Sequence, residues 1–415
     1  MQNATFQMLT RRRWLYLAVA CMINLFAGSI FTWSVFAAAL AEKLTAATGA
    51  AMSPSDLAVV FSLANGLGPI PMIFGGAVSD RFGPRFVIMA GGVMMGVGLW
   101  LTGSAGSISE LLVAYGLFFG LGLGLVYGCA INTTLKYFAD HRGLAGGLAT
   151  ATYGSSSVLL PPIATALIAA WGVEAALHAI GAAVGIVIVA GGALLRQCPA
   201  GFVPDGWTPP PAGAFGARSC TWREMIRSPE FPPMVALLLC GATAGMMVIA
   251  NGFALAREQA QLSAAEASAA VSLIALANTA GRLVAGMLSD RIGRTAALGT
   301  ALAAALAGLA ALAWAGAGDA ALFIAGLSAV GISFGAFMGV FPGFTAEAFG
   351  SAHNGVNFGI MFAGFSAAGL LGPMLMGALR GAGLPFGACY AAAGVMSLAG
   401  FFFIWLFRRA ASRTA

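Results

Sequence analysis

The chain has 415 residues, 60% of them hydrophobic and only 8% charged. A soluble globular protein carries about 25% charged residues, so that class is excluded, and a mean hydropathy of +0.90 marks a polytopic membrane protein. The formal net charge of +6 follows from topology, and no nucleic-acid partner is expected from it.

Arg11, Arg12 and Arg13 precede the first apolar run, 14–40. That run is too long for the core of a signal peptide and reads as a retained helix. The next five spans are 55–78, 86–104, 109–136, 141–168 and 173–196. A polar interval at 197–230 follows, with Pro209-Pro210-Pro211 and then Arg218, Arg223 and Arg227; it reads as a cytoplasmic linker. Six more spans come after it, at 231–256, 265–289, 295–316, 319–345, 353–379 and 384–407. Runs of about 20 apolar residues predict helices, because barrel strands are half as long and alternate. The expected fold class is an all-α membrane protein of twelve transmembrane helices. Its domains are an N-terminal six-helix bundle (1–196), the linker loop (197–230) and a C-terminal bundle (231–415). Twelve spans place both termini on one side. With the termini cytoplasmic, most Lys and Arg face the cytoplasm, Lys43, Arg257 and Arg380 lie outside and Arg282 lies within a span, as the positive-inside rule requires.

The two halves repeat each other. GGAVSDRFGPR (75–85) matches AGMLSDRIGR (285–294), pairing Asp80 with Asp290 and Arg81 with Arg291. The ladder Gly116, Gly120, Gly124, Gly128 recurs as Gly331, Gly335, Gly339, Gly343, and His141-Arg142-Gly143 matches His353-Asn354-Gly355. Such duplications build transporter sites at the repeat interface near the bilayer midplane. Glycine at every fourth position lets a neighbouring helix approach closely. In the SDR loops the glycine makes the turn, and Asp is placed to cap the following helix.

Arg282 stands in VSLIALANTAGRLVAGMLSD, which meets no other charge between Val271 and Asp290. An arginine at that depth costs about 2.5–3.5 kcal/mol on insertion scales. No Asp or Glu stands at mid-membrane depth in any assigned span, so an anionic substrate is the expected partner. Asn278 precedes Arg282 by one helical turn, on the same face. Depth arithmetic puts Arg282 about 12 Å from Asp290, Tyr127 about 13 Å from Lys136 and Tyr153 about 18 Å from His141. An extended arginine side chain reaches both tyrosine depths, although depth alone leaves the facing of the three helices open. The six cysteines form no CxxC pair, and no nucleotide loop or nucleophile–base pair is visible. No metal, cofactor or enzyme activity is expected.

The paired GxxSDRxGxR loops resemble those of the major facilitator superfamily, over essentially the whole chain. That resemblance implies two pseudo-symmetric six-helix bundles and a cytoplasmic gate of Asp80, Arg81, Asp290 and Arg291. The stretch LVYGCAINTTLKYFADHRGLAGGLATATYGSSS (125–157) and NTAGR (278–282) are similar to the oxalate/formate antiporter family, relatives of the monocarboxylate transporters. The resemblance implies a carboxylate-binding Arg282 and aromatic walls at Tyr127 and Tyr153. Phe365 occupies the position at which dicarboxylate-exchanging relatives have a lysine. Asn278 replaces the aspartate of animal monocarboxylate transporters, and Trp33 stands nearest their helix 1 lysine. Phe337, Phe362 and Phe365 are expected to form an apolar wall for a short alkyl tail.

One arginine balances one carboxylate, whereas a dianion would keep an uncompensated charge in low dielectric. The expected function is proton-coupled transport of a lactate-, pyruvate- or formate-type monocarboxylate by alternating access. Protons would travel on the substrate or through Glu42, Glu258 or Glu266. The alternatives are an oxalate/formate-type antiporter, an inorganic anion carrier or a non-transporting sensor. A monomer in the lipid bilayer of a bacterial inner membrane is expected.

Overall fold

The apolar runs all become helices in the computed structural model, which describes residues 2–209 and 219–414. Pro210, Pro211 and Arg218 of the expected linker lie outside the described residues. A backbone in hydrocarbon must satisfy its own N–H and C=O groups, and a helix does so within one segment. No strand occurs among the described residues.

The membrane-length helices are α1 (Phe6–Ala47), α2 (Ala58–Phe82), α3 (Pro84–Ser104) and α4 (Ile108–Tyr137). A 53-residue run, Arg142–Leu194, follows. After it come α7 (Phe231–Ile249), α8 (Ala264–Ile292), α9 (Arg294–Trp314), α10 (Ala320–Phe349), α11 (Asn354–Gly381) and α12 (Phe386–Arg413). The long run is two spans, since Gly172 leaves the helical region at φ 80° and ψ 166°. This single glycine separates α5 (142–171) from α6 (173–194) where a loop was expected, and the total among the described residues is twelve. α1 tightens into a 3₁₀ turn at Gly28–Thr32, and α4 widens into π-helical turns over Leu112–Phe119.

The repeated SDR loops have the same geometry. Gly83 (φ 90°, ψ 164°) and Gly293 (φ 85°, ψ 156°) each end one helix and begin the next. Only glycine adopts that backbone without strain. The expected cap on the following helix is not made: neither α3 nor α9 has a side-chain cap. Pro84 opens α3 and has no N–H to offer. The aspartates cap other helices, described below.

The residues group into two compact units that do not follow chain order. Unit 1 comprises Met1–Ala139, Thr152–Trp207 and Ala352–Ile360; unit 2 comprises Asp140–Ala151, Thr208–Ser351 and Met361–Ala415. The opening of α11 thus packs with unit 1 and the opening of α5 with unit 2.

Both glycine ladders lie at helix crossings. In unit 1, Gly116 and Gly120 of α4 abut Leu63 and Ala64 of α2, and Gly124 and Gly128 abut Pro71 and Met72. In unit 2, Gly331 abuts Ile274 of α8, and Gly335 and Gly339 abut the backbone around Asn278 and Arg282. A methyl group on Gly335 would overlap the Asn278 carbonyl, and one on Gly339 would overlap the Arg282 carbonyl.

Candidate functional site

Arg282 lies in the middle of α8 and is 4% exposed. The helix forms because Ser263 and Glu266 make a reciprocal capping box at its start, and the apolar run carries it across. Arg282 Nε donates to Asn278 Oδ1 at 3.2 Å, the i−4 contact implied by the spacing. Its Nη1 donates to the Thr150 carbonyl at 3.2 Å, in the part of α5 that belongs to unit 2. Gly147 of the same segment abuts the Arg282 carbonyl, so α5 and α10 hold the arginine backbone from glycine-lined sides. Both named acceptors are neutral oxygens, so they orient the guanidinium and leave its charge intact.

The phenylalanines of unit 2 form a ring cluster. Phe362 packs on Phe365 at 4.7 Å between centroids, and Phe365 on Phe334 at 6.0 Å. Phe337 is fully buried, stacks on Phe341 at 5.9 Å and lies against Gly241 of α7.

In unit 1, Tyr127 and Tyr153 come together with centroids 4.6 Å apart, and Phe31 closes on Tyr153 edge-to-face at 5.2 Å. Trp33 packs on Tyr115 at 4.3 Å. The Tyr115 hydroxyl donates to the Ile30 carbonyl at 3.4 Å, within the 3₁₀ turn.

Each unit also holds one of the SDR aspartates at a helix N-terminus. In unit 1, Asp80 Oδ2 accepts the Gly355 N–H at 3.0 Å, which caps α11. Its Oδ1 accepts from Lys136 Nζ at 2.7 Å and from Asn132 Nδ2 at 3.0 Å. Asn354 Nδ2 donates to Asn132 Oδ1 at 3.1 Å. In unit 2, Asp290 accepts the N–H groups of Gly143 and Leu144, each at 2.8 Å, which caps α5. Arg294 donates to Asp290 at 2.8 Å and to Glu347 at 2.9 Å. A carboxylate on orphan N–H groups also meets the positive end of the helix dipole. Arg81 and Arg291 are exposed, and Arg81 lies over the Phe82 ring at 5.1 Å. The cations on the two aspartates are Lys136 and Arg294.

Sequence reasoning missed Lys136, Asn132, Asn354, Glu347 and Thr150. The third repeat match, at His141-Arg142-Gly143 and His353-Asn354-Gly355, carried a usable signal, since Asp80 caps the helix that the second motif opens and Asp290 the helix that the first opens. Thr150 left no signal, because it acts through a backbone carbonyl. Of the carboxylates expected to carry protons, Glu258 pairs with Arg380 at 3.6 Å, Glu266 is used in the α8 cap and Glu42 is exposed.

The Major Facilitator Superfamily family model matches residues 17–255 and 235–415. The chain belongs to that superfamily. A major facilitator protein of *Escherichia coli* K12, the uncharacterized MFS-type transporter YhjX, is 31% identical over 355 residues, covering 86% of this chain and 85% of its own. The oxalate:formate antiporter of *Oxalobacter formigenes* is 29% identical over 370 residues, 87% and 83% of the two chains. Human monocarboxylate transporter 11 is 30% identical over 372 residues, 84% and 74% of the two chains. Among solved structures, the transporter FucP in its outward conformation superposes with a TM-score of 0.68 at 15% identity, covering 95% of this chain and 98% of that one. This is a multi-pass membrane protein with the major facilitator fold, and members of that family are transporters rather than enzymes.

Proposed function

We propose that this major facilitator protein carries a small monocarboxylate of the lactate, pyruvate or formate type across the membrane, coupled to protons. The observation that carries the reading is Arg282, buried in mid-helix and oriented by the neutral oxygens of Asn278 and Thr150. A substrate carboxylate would neutralise that charge and lower the cost of sealing it from water. Asn278 positions the guanidinium. Tyr127 and Tyr153 supply hydroxyls, and Phe337, Phe362, Phe365 and Trp33 supply apolar surface. Phe365 in place of a second cation favours a monoanion. Asp80 and Asp290, with Arg81 and Arg291 in the headgroup region, are the gating residues of this reading.

The bundles of the proposal are 1–196 and 231–415, joined by 197–230. Both termini are cytoplasmic, the membrane is a bacterial inner membrane and the working form is a monomer. The similarity to the oxalate:formate antiporter of Oxalobacter formigenes supports a second reading, oxalate/formate-type exchange.

The test is uptake of radiolabelled L-lactate into proteoliposomes, with and without an inward proton gradient, for wild type and Arg282→Gln. Gradient-driven uptake that the variant loses supports proton-coupled monocarboxylate transport. Uptake only into anion-preloaded vesicles supports exchange. Saturable oxalate exchange without any monocarboxylate uptake overturns the main reading.

A further inference from the structure

A short helix, Trp222–Arg227, stands between α6 and α7 and has no part in the reading above. It belongs to unit 2. A capping box starts it: the Thr221 N–H and hydroxyl donate to the Glu224 carboxylate at 2.7 and 2.8 Å. The Cys220 N–H donates to the Phe349 carbonyl at the end of α10 at 2.8 Å, and Met225 is fully buried. These contacts fix both the place of the helix and its rotation about its own axis.

The rotation sorts the side chains by chemistry. At about 100° per residue, Trp222 and Ile226 share one face, and they are 44% and 41% exposed. Arg223 and Arg227 follow on the next flank, both exposed, with the Arg223 guanidinium over the Trp222 ring at 5.1 Å. Glu224 comes next, on the side away from Trp222, and Met225 closes the circle on the buried flank. Neither arginine has an ion-pair partner among the described residues. A single exposed apolar residue is ordinary, but here two stand on one face beside two uncompensated cations. The helix is also tethered to the membrane. α7 begins at Phe231, and the chain from Arg227 to that point spans at most about 14 Å, which holds the helix close to the headgroup layer.

We propose that Trp222–Arg227 lies flat on an anionic lipid leaflet, with Trp222 and Ile226 at the edge of the acyl chains and Arg223 and Arg227 on lipid phosphates. Tryptophan is enriched at membrane–water interfaces, and a helix with one apolar face and a cationic flank is the form that rests in that plane. Glu224 then points to water, where its charge meets no lipid phosphate. Six spans precede the helix, so it lies on the arginine-rich side of the membrane, as the SDR loops do. The occupant is a lipid surface, because the exposed face is apolar at its centre and positive at its border. The docked helix would fix the start of α7 and, through Cys220, the end of α10 at one depth. This surface is separate from the Arg282 site and does not depend on which substrate that site takes.

The experiment measures hydrogen–deuterium exchange of the 222–227 amides in full-length protein in lipid nanodiscs. One set contains phosphatidylcholine alone, the other phosphatidylcholine and phosphatidylglycerol in equal parts. Exchange is expected to slow about tenfold in the anionic discs, the effect of two cations at an anionic surface. The double variant Arg223→Gln with Arg227→Gln should lose that slowing and keep the wild-type rate in phosphatidylcholine, which shows that the helix still forms. The double variant Trp222→Ala with Ile226→Ala should exchange faster in both lipids. Equal wild-type rates in the two lipids overturn the proposal and leave the face to a soluble partner. Slowing that survives in the glutamine variant also overturns it, because the anionic lipid then acts elsewhere on the protein.

Discussion

Asp80 and Asp290 do the same work with different neighbours. Each comes from the SDR loop of its repeat and caps the N-terminus of a distant helix, α11 in unit 1 and α5 in unit 2. In unit 1 the cation is Lys136 from the end of α4, and two asparagines complete the group. In unit 2 the cation is Arg294, one turn beyond the aspartate, and it is shared with Glu347 from α10. Pro84 occupies the place in unit 1 that Arg294 takes in unit 2, so the first repeat draws its cation from another helix. The duplication preserved the carboxylate and its helix cap, whereas the counter-charge was free to change source.

That comparison is tested by removing charges singly. Asp80→Asn should have the largest effect, because it strands Lys136, whose side chain is 15% exposed. Breaking a buried pair from one side costs about 3 kcal/mol, to be read from unfolding in mixed micelles. Asp290→Asn should cost less, about 1–2 kcal/mol, because Arg294 keeps Glu347. Equal losses in the two variants would remove the distinction between the units. Glu347→Gln should cost about 0.5 kcal/mol, since that carboxylate is one-third exposed and half-solvated pairs are worth little. Arg81→Ala and Arg291→Ala should change stability by less than about 0.5 kcal/mol, although these arginines are the most visible feature of the motif.

The smallest effect concerns Cys198, whose Sγ donates to the Lys136 carbonyl at 3.5 Å. Burial pushes its thiol up to about 12, against the opposing pull of Lys136. Only the thiolate is nucleophilic, so maleimide labelling of Cys198 at pH 8 should be far slower than in the SDS-denatured chain. Comparable rates by mass spectrometry would mean that this corner of unit 1 is open.

The sequence showed the parts of the fold that depend on periodicity and spacing. The apolar runs marked twelve helices, and the ladders marked the close crossings of α2 with α4 and α8 with α10. The four-residue spacing of Asn278 and Arg282 anticipated their hydrogen bond. Hidden from the sequence were features decided by where a group points after folding. The aspartates resemble caps for the next helix, yet Gly83 and Gly293 turn the chain so that they cap distant ones. Gly172 joins α5 to α6 without a loop, which hydropathy cannot separate from a short turn. Lys136 and Glu347 had the look of ordinary charges at helix ends.

The contact of Gly335 and Gly339 with the backbone of Arg282 has an electrical consequence. A cation pinned by backbone contact cannot slide along its helix to meet water, so its depth in the membrane field is fixed. A unit charge crossing 100 mV exchanges about 2.3 kcal/mol with the potential. In the alternating-access reading, Arg282 gives the empty carrier one positive charge at that depth, a bound monoanion cancels it and a co-transported proton restores it. The membrane voltage would then act equally on the empty and the proton-loaded carrier, and two glycines without side chains would set how strongly.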